Sequence, residues 1–391
     1  MPATTLGLYI HIPFCARKCA YCDFYSLGGA DRLKMDAYFA ALLRHMRETA
    51  VFTGKKAGGG GWMVDSVYLG GGTPTLPGAR RVVKLLSAAR KLWQISQSAE
   101  ITVEANPDTL DYKSLKTLRK AGVNRLSLGV QAVQTPLLET LGRVHSAEQA
   151  ADCVREAQRA GFDNISVDLM YGIPGQTAEH LHDSLRAALS WNIQHLSLYG
   201  LKLEEGTPLY ALEPPLPDDE TQARQYLAAV DYLERHGFSQ YEISNFSVPA
   251  RQSRHNQKYW TLEPYIGFGP AAHSDFGGKR YSHARDLDAY IRNIEAGDAV
   301  VEEVDRIGPL ERAGEYVMLG LRTVRGISGN EYTRLYKVSF DGIEKKLELL
   351  EKHGFARREG ERWRLTAKGF LVSNRILSEL LESEVDCELM S

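Results

Sequence analysis

The chain has 391 residues, 43% hydrophobic and 25% charged, long enough for more than one core because single cores stop growing near ~250–300 residues. Its 47 basic and 49 acidic side chains leave a net charge of −2, so no global field draws it to nucleic acid or anionic lipid, and no nucleic-acid partner is expected. Five cysteines, three clustered and Cys153 and Cys387 isolated, argue against a disulfide framework and for a reducing, cytoplasmic compartment. The first residues, Met1-Pro-Ala-Thr-Thr-Leu-Gly, lack a signal-peptide pattern, and no stretch approaches ~20 uninterrupted apolar residues, so neither secretion nor a membrane span is expected.

Short β-rich runs recur at Leu8–Ile12, Ser66–Leu69, Ile101–Glu104, Arg125–Val130, Ile165–Met170 and His195–Tyr199, with helix-length segments between them. Six βα units in series predict an α/β fold with a parallel sheet. Gly122, Gly161, Gly237 and Gly354 follow helical segments as left-handed caps. The run Gly58–Gly61 reads as a loop before the second strand, and Glu213-Pro-Pro-Leu-Pro217 as a stiff turn into a helix beginning near Asp218. Such units close as a partial (β/α)6 barrel or open as a doubly wound sheet. The pattern alone does not choose, but either way function gathers at the strands' carboxyl ends. After Asp305 the spacing predicts a helix through Leu319, another near Asn330–Tyr336, a third through Ile343–Lys352, a hairpin turning at Glu359-Gly360 and a helix to Leu381. Three helices and a hairpin suggest a smaller winged-helix-like C-terminal domain. Its Arg357, Arg358, Arg362 and Arg364 alternate with Glu359 and Glu361, as in an ordinary solvated hairpin or a DNA reader. The divisions expected are 1–240, 241–304 and 305–391.

Past the first strand stands Cys15-Ala-Arg-Lys-Cys19-Ala-Tyr-Cys22. Four-iron clusters are normally held by four thiolates, so this spacing suggests a cubane with one iron left open. The rival is a zinc site with His11 as fourth ligand, although the three-residue gap does not match the usual knuckle and no second cysteine pair follows. Gly70-Gly71-Gly72-Thr73-Pro74 follows the second strand, where bare backbone can approach a ligand and offer N–H and C=O groups to a zwitterion. Glu104, Gln131 and Asp168 occur within or just after otherwise apolar strands. A charge there costs several kcal/mol of desolvation, of order ~3–5, unless it is paired or lines a cavity. Either these residues face one barrel mouth, or Glu104 and Asp168 form buried ion pairs with Arg125 or Arg143.

The three-thiolate cage resembles the radical S-adenosylmethionine (SAM) superfamily. With Tyr9-Ile-His-Ile-Pro-Phe-Cys15, Val-Glu-Ala-Asn-Pro107, Leu-Gly-Val-Gln131, Asp168-Leu-Met-Tyr-Gly-Ile-Pro and Tyr241-Glu-Ile-Ser-Asn-Phe246, nearly the whole chain is similar to the oxygen-independent coproporphyrinogen III oxidase-like group. The resemblance implies a partial (β/α)6 radical SAM barrel, a [4Fe–4S] cluster on Cys15, Cys19 and Cys22, and SAM among Tyr9, Tyr21, Gly71, Gly72, Thr73, Glu104, Gln131, Arg143 and Asp168. In it Asp168 meets the ribose, Arg143 faces the carboxylate, and Lys202 adds backbone contacts.

Two departures separate the chain from the dehydrogenases of that group. Phe24 stands where they carry a further cysteine, and only Met1–Leu8 stands where they have a long N-terminal arm. Arg254-His255-Asn256-Gln-Lys-Tyr259-Trp260 instead resembles the His-Asn-x-x-Tyr-Trp motif of the HemW haem-chaperone branch. That implies haem as ligand, His255 as candidate axial ligand, client haemoproteins among respiratory enzymes, and peripheral membrane contact through those clients. The Gly267–His273 segment fits the same branch and makes His273 a second histidine to consider. The C-terminal module is expected to cover the barrel mouth or meet a client. The alternative is a coproporphyrinogen III dehydrogenase or another tetrapyrrole-acting radical enzyme, and a redox-sensing DNA regulator is a third reading that the near-neutral charge opposes.

Overall fold

The computed structural model describes residues 5–54 and 62–388, with side chains as far as Glu382. The Gly58–Gly61 loop and the side chain of Cys387 lie outside the described residues. Six strands form the centre: β1 Thr5–Ile12, β2 Met63–Gly71, β3 Gln94–Ala105, β4 Arg125–Gln131, β5 Ile165–Tyr171 and β6 His195–Gly200. Each pairs in parallel with the next in chain order. A doubly wound sheet reverses its strand order at a switch point. Here every crossover advances the same way, and right-handed crossovers then stack all the helices on one face, which makes a partial barrel.

Alternation along each strand sorts the side chains. Leu8, Ile10, Val67, Leu69, Val103, Leu126, Leu128, Val167, Leu169, Leu196 and Leu198 are buried in the core shared with the helices. The alternate residues point inward and are largely polar: Tyr9 and His11, Ser66 and Tyr68, Thr102 and Glu104, Ser127, Asp168 and Ser197. The helices are fixed at their starts, since Asp31, Asp111, Ser146 and Thr177 each accept a backbone N–H of the first turn, worth about 1 kcal/mol apiece.

The sheet grows at both edges to 12 strands. Tyr265–Phe268 joins β1 in parallel, and His273–Phe276, Lys279–His283 and Val301–Arg306 follow antiparallel. On the far side Asn245–Ser247 and Ser239–Glu242 extend β6. Between these edge segments the helix Arg254–Thr261 enters the barrel at the strands' amino ends. Its first N–H groups, from Arg254 and His255, bond the Glu100 carboxylate at 3.0 and 3.1 Å, a charge that suits a helix N-terminus. Lys258 is buried beneath it and pairs with Asp65 and Glu263, both at 2.9 Å.

The C-terminal module runs helix Pro309–Gly320, strand Ile327–Ser328, helices Gly329–Tyr336 and Asp341–Lys352, and hairpin Ala356–Glu359/Arg362–Leu365. The hairpin and the two-residue strand, which is too short to read from sequence, make a three-stranded sheet in a winged-helix-like order. The last helical run breaks at Val372 into Ala367–Leu371 and Ser373–Glu388. The hairpin arginines are matched by acids, with Arg357 on Glu359 (3.0 Å), Arg358 on Glu344 (3.3 Å), Arg362 on Glu331 (3.0 Å) and Arg364 on Glu359.

The module does not cover the barrel mouth. It packs under the opposite end, its first helix lying on Arg254–Thr261. Arg312 bonds Asp275 at 2.9 Å, Arg280 bonds Glu315 at 2.6 Å, and Val324 donates its N–H to the Tyr241 carbonyl at 3.1 Å. No helix among the described residues is long and apolar enough to cross a membrane.

Candidate functional site

The cysteine loop leaves β1 through the two-residue strand Phe14–Cys15, which pairs with Leu27–Gly28 and so closes the loop on itself. Other strand-end loops hold its middle: Ala20 N–H bonds Leu141 O at 3.0 Å, and Leu209 N–H bonds Ala20 O at 2.8 Å. Cys15, Cys19 and Cys22 are half-buried free thiols. Thr73 Oγ1 donates to Cys15 Sγ at 3.7 Å and Arg143 Nη1 to Cys19 Sγ at 3.3 Å. Burial pushes the Cys15 and Cys22 thiols up.

Among the described residues no three His, Cys, Asp or Glu side chains converge as one metal ion would require. His11 is no free fourth ligand either. Its Nδ1 bonds Tyr9 OH at 2.9 Å, its Nε2 bonds Tyr25 O at 2.8 Å, and burial lowers its pKa to about 4. Three soft ligands on one loop, with a hydroxyl and a guanidinium donating to sulfur and no fourth protein ligand, fit an open-iron cluster better than zinc.

The glycine run lies against this loop. A Cβ on Gly71 would stand 2.5 Å from His11 Cε1, and one on Gly72 would stand 2.8 Å from the Phe14 carbonyl oxygen. Its N–H groups are already used: Gly71 bonds Glu104 Oε2 at 3.1 Å, Gly72 bonds Ile12 O at 2.9 Å, and Thr73 bonds Phe14 O at 2.7 Å. These N–H groups are therefore engaged within the fold, which leaves the C=O groups of the run as what it could offer to a zwitterion's ammonium. The glycines let two backbones touch, and that contact ties the cluster loop to β2.

Glu104 accepts Tyr68 OH at 2.7 Å besides Gly71 N–H, and burial lifts its pKa to about 7. Asp168 is held by Ser127 Oγ at 3.3 Å and Ser166 Oγ at 3.4 Å, and burial lifts it too. Neither carboxylate forms an ion pair among the described residues; Arg125 acts on both only at longer range, and its own Nε and Nη1 have no hydrogen-bond partner. The ion-pair reading fails, and two carboxylates on neutral donors face the interior.

Gln131 leaves its strand at φ 70°, an uncommon conformation for a non-glycine residue. Its amide converges with Arg143 and Asn106 over Gly129. Arg143 bonds Asn106 Oδ1 at 2.8 Å and the Gly129 carbonyl, and Asn106 Nδ2 donates to Thr73 Oγ1 at 3.1 Å. Asn106 was not singled out from sequence, yet it links the Arg143 and Thr73 contacts to sulfur. The signal was its place two residues after Glu104, at the carboxyl end of β3.

Tyr21 lies within electrostatic reach of Arg143, Cys19 and Asp168. The Lys202 side chain turns to solvent, 78% exposed and paired with Glu204 at 2.8 Å, so it is the backbone, two residues past the end of β6, that a ligand at the mouth would meet. His255 is at the other end of the barrel, with 0% exposure. Its Nδ1 hydrogen-bonds Ser66 Oγ and its Nε2 Tyr259 OH, both at 2.9 Å, and burial lowers its pKa to about 3. Both ring nitrogens are engaged, so this histidine offers no lone pair to an incoming iron.

Glu104 predicts a pH dependence. Its folded pKa of about 7 lies above its unfolded value, so its contribution to stability is fully present below pH ~4.5 and is lost as pH rises through ~7. A cation bound beside Glu104 favours the carboxylate and expels its proton. SAM, which carries an ammonium and a sulfonium, is expected to bind more tightly at pH 8 than at pH 6, with proton release seen as a buffer-dependent heat in titration calorimetry. Glu104→Gln is expected to abolish the dependence; a buffer-independent heat in the unsubstituted protein would refute it.

Comparison with known proteins accords with this geometry. Residues 9–188 match the Radical SAM superfamily and residues 307–372 the HemN C-terminal domain. The chain is 37% identical over 379 residues to the heme chaperone HemW of Bacillus subtilis, covering 95% of this chain and 98% of that protein. It is 32% identical over 384 residues to the heme chaperone HemW of Lactococcus lactis, covering 97% and 98%. Among solved structures, coproporphyrinogen III oxidase (HemN) from Escherichia coli, a radical SAM enzyme, shares the fold with a TM-score of 0.83 at 23% identity, over 97% of this chain and 91% of that one.

Proposed function

The chain belongs to the HemW family of radical SAM proteins, and from that premise we propose that it binds haem and hands it to client haemoproteins. Respiratory enzymes are the clients we infer, and the cytoplasm the compartment. The full-length kinship to heme chaperones carries this reading.

The residues at the mouth fit a [4Fe–4S] cluster on Cys15, Cys19 and Cys22, with SAM among Tyr9, Tyr21, Gly71, Gly72, Thr73, Glu104, Gln131, Arg143 and Asp168. Bound together, the two groups supply one-electron reductive cleavage of a sulfonium C–S bond. The chain's part is arrangement. Glu104 and Asp168 offer acceptors fixed by hydroxyl groups, Arg143 balances charge beside Cys19, and the buried inner face keeps water out.

The alternative, coproporphyrinogen dehydrogenation, is opposed by Phe24, which stands 71% exposed beside the cluster loop where the dehydrogenases resemble one another in carrying a cysteine. One anaerobic sample tests the choice. After cluster reconstitution the protein is expected to bind about one haem per chain, measured by difference spectroscopy, and to leave coproporphyrinogen III unconsumed. Robust turnover of coproporphyrinogen would overturn the chaperone reading.

A further inference from the structure

We propose that haem is held at the mouth, in the pocket between the cysteine loop and the Ala271–Arg285 edge, with His273 on the iron and Arg285 on a propionate. The inference rests on the haem-chaperone reading and names the site for it. The pocket measures about 420 Å³, with Phe24, Tyr259, Tyr265, His273 and Arg285 among its walls and Tyr9 at its inner side. That volume is within the ~300–1,000 Å³ of ordinary ligand pockets. Tyr9 also belongs to the set read as surrounding SAM, so the pocket opens beside that position and directly after Cys22.

The histidines around this edge of the barrel can be told apart by their nitrogens. His11 and His255 have both engaged, as above, and His283 is buried with its nitrogens on Val300 O at 3.3 Å and Gly267 O at 3.2 Å. His273 is exposed, and its imidazole makes no hydrogen bond to another described residue. A neutral imidazole open to solvent is a competent axial ligand for haem iron.

The remaining walls suit the rest of the molecule. Phe24 presents an exposed ring, and Tyr259 and Tyr265 pack edge to face at 4.6 Å, surfaces that cover an apolar macrocycle well. Arg285 donates to the Asp23 carbonyl at 3.1 Å and has no carboxylate partner among the described residues, which leaves it charged toward an acid. Asp23 itself lines the pocket and repels a second carboxylate, so one propionate is received and the other turns outward. A half-open seat of this kind suits a ligand that must leave again.

This assignment also gives the His-Asn-x-x-Tyr-Trp motif a role other than iron ligation. Tyr259 is a pocket wall, and the His255 ring holds its hydroxyl from below at 2.9 Å. His255 is then a positioning residue.

Titrate reconstituted wild type, His273→Ala, Arg285→Glu and His255→Ala with haem, following absorption and electron paramagnetic resonance. Wild type is expected to show imidazole ligation. His273→Ala is expected to lose that signature, to bind about tenfold more weakly, equivalent to ~1.4 kcal/mol, and to regain the wild-type spectrum on adding free imidazole, with cluster and SAM occupancy unchanged. Arg285→Glu is expected to weaken binding without a spectral change and to bind haem and its dimethyl ester alike. His255→Ala is expected to keep the signature at reduced affinity. His273 is exposed, so its variant is expected to fold. A wild-type haem spectrum in His273→Ala, or loss of imidazole ligation in His255→Ala alone, would overturn this site while leaving the chaperone reading intact. Failure of the wild type to bind haem would overturn both.

Discussion

Serine in place of Cys15, Cys19 or Cys22 is expected to abolish the brown absorption of the reconstituted cluster, with iron and acid-labile sulfide falling to near background. The effect should be near all-or-none because no other cysteine lies on the loop and its histidine neighbour is engaged. His11 is locked between Tyr9 and Tyr25, and among the described residues no group of three His, Cys, Asp or Glu is set to hold a metal ion in its place. A cluster with only two protein thiolates loses half of its usual anchoring. Cys153→Ser is the control: that thiol is buried in the helix Ala147–Arg159, and burial pushes its pKa up to about 12, so it is neither accessible nor a thiolate. Far-ultraviolet circular dichroism of all four variants is expected to match the wild type. Zinc at near-unit stoichiometry without labile sulfide in the wild type would reject the cluster.

The six central strands and the cluster loop were legible in the sequence because each rests on a local signal. Three cysteines at fixed spacing and β-rich runs of four to six residues need no tertiary information. The polar inner face was legible in part: Glu104 and Asp168 stood out, while Ser66, Ser127 and Ser197 occupy the same alternate positions and drew no attention because serine is common everywhere. What sequence could not show was direction. The glycine run reads as a row of open N–H donors until these are seen bonded to Ile12 and Phe14. His255 reads as an open ligand beside aromatics until its helix is seen inside the barrel, with the ring clamped by Ser66 and Tyr259. Such contacts join residues far apart in the chain, and Ser66 and His255 are 189 positions apart. The position of the C-terminal module likewise depends on pairs such as Arg312 with Asp275, which no local pattern announces.

Asp168→Ala and Gly72→Val are expected to lose SAM affinity by different routes. In Asp168→Ala a buried acceptor disappears, and a hydrogen bond to a charged group is worth about 1.5–3 kcal/mol, so binding is expected to weaken ~10–100-fold. The cluster should survive, because Asp168 is held by serines of β4 and β5 and touches no cysteine. Gly72→Val is not a simple filling of ligand space. Its Cβ would meet Phe14 O, N and C at 2.8, 2.9 and 3.0 Å, all backbone atoms one residue from Cys15. The end of β2 and the strand Phe14–Cys15 must then part, breaking the Gly72 to Ile12 and Thr73 to Phe14 hydrogen bonds and displacing Thr73 from Cys15 Sγ. Cluster content and SAM binding are therefore expected to fall together in Gly72→Val, and SAM binding alone in Asp168→Ala, measured by labile sulfide and equilibrium dialysis on the same preparations. A full cluster in Gly72→Val with SAM alone lost would mean that Gly72 serves the ligand and not the contact with the cluster loop. Unchanged SAM affinity in both folded variants would remove this end of the barrel as the cofactor site.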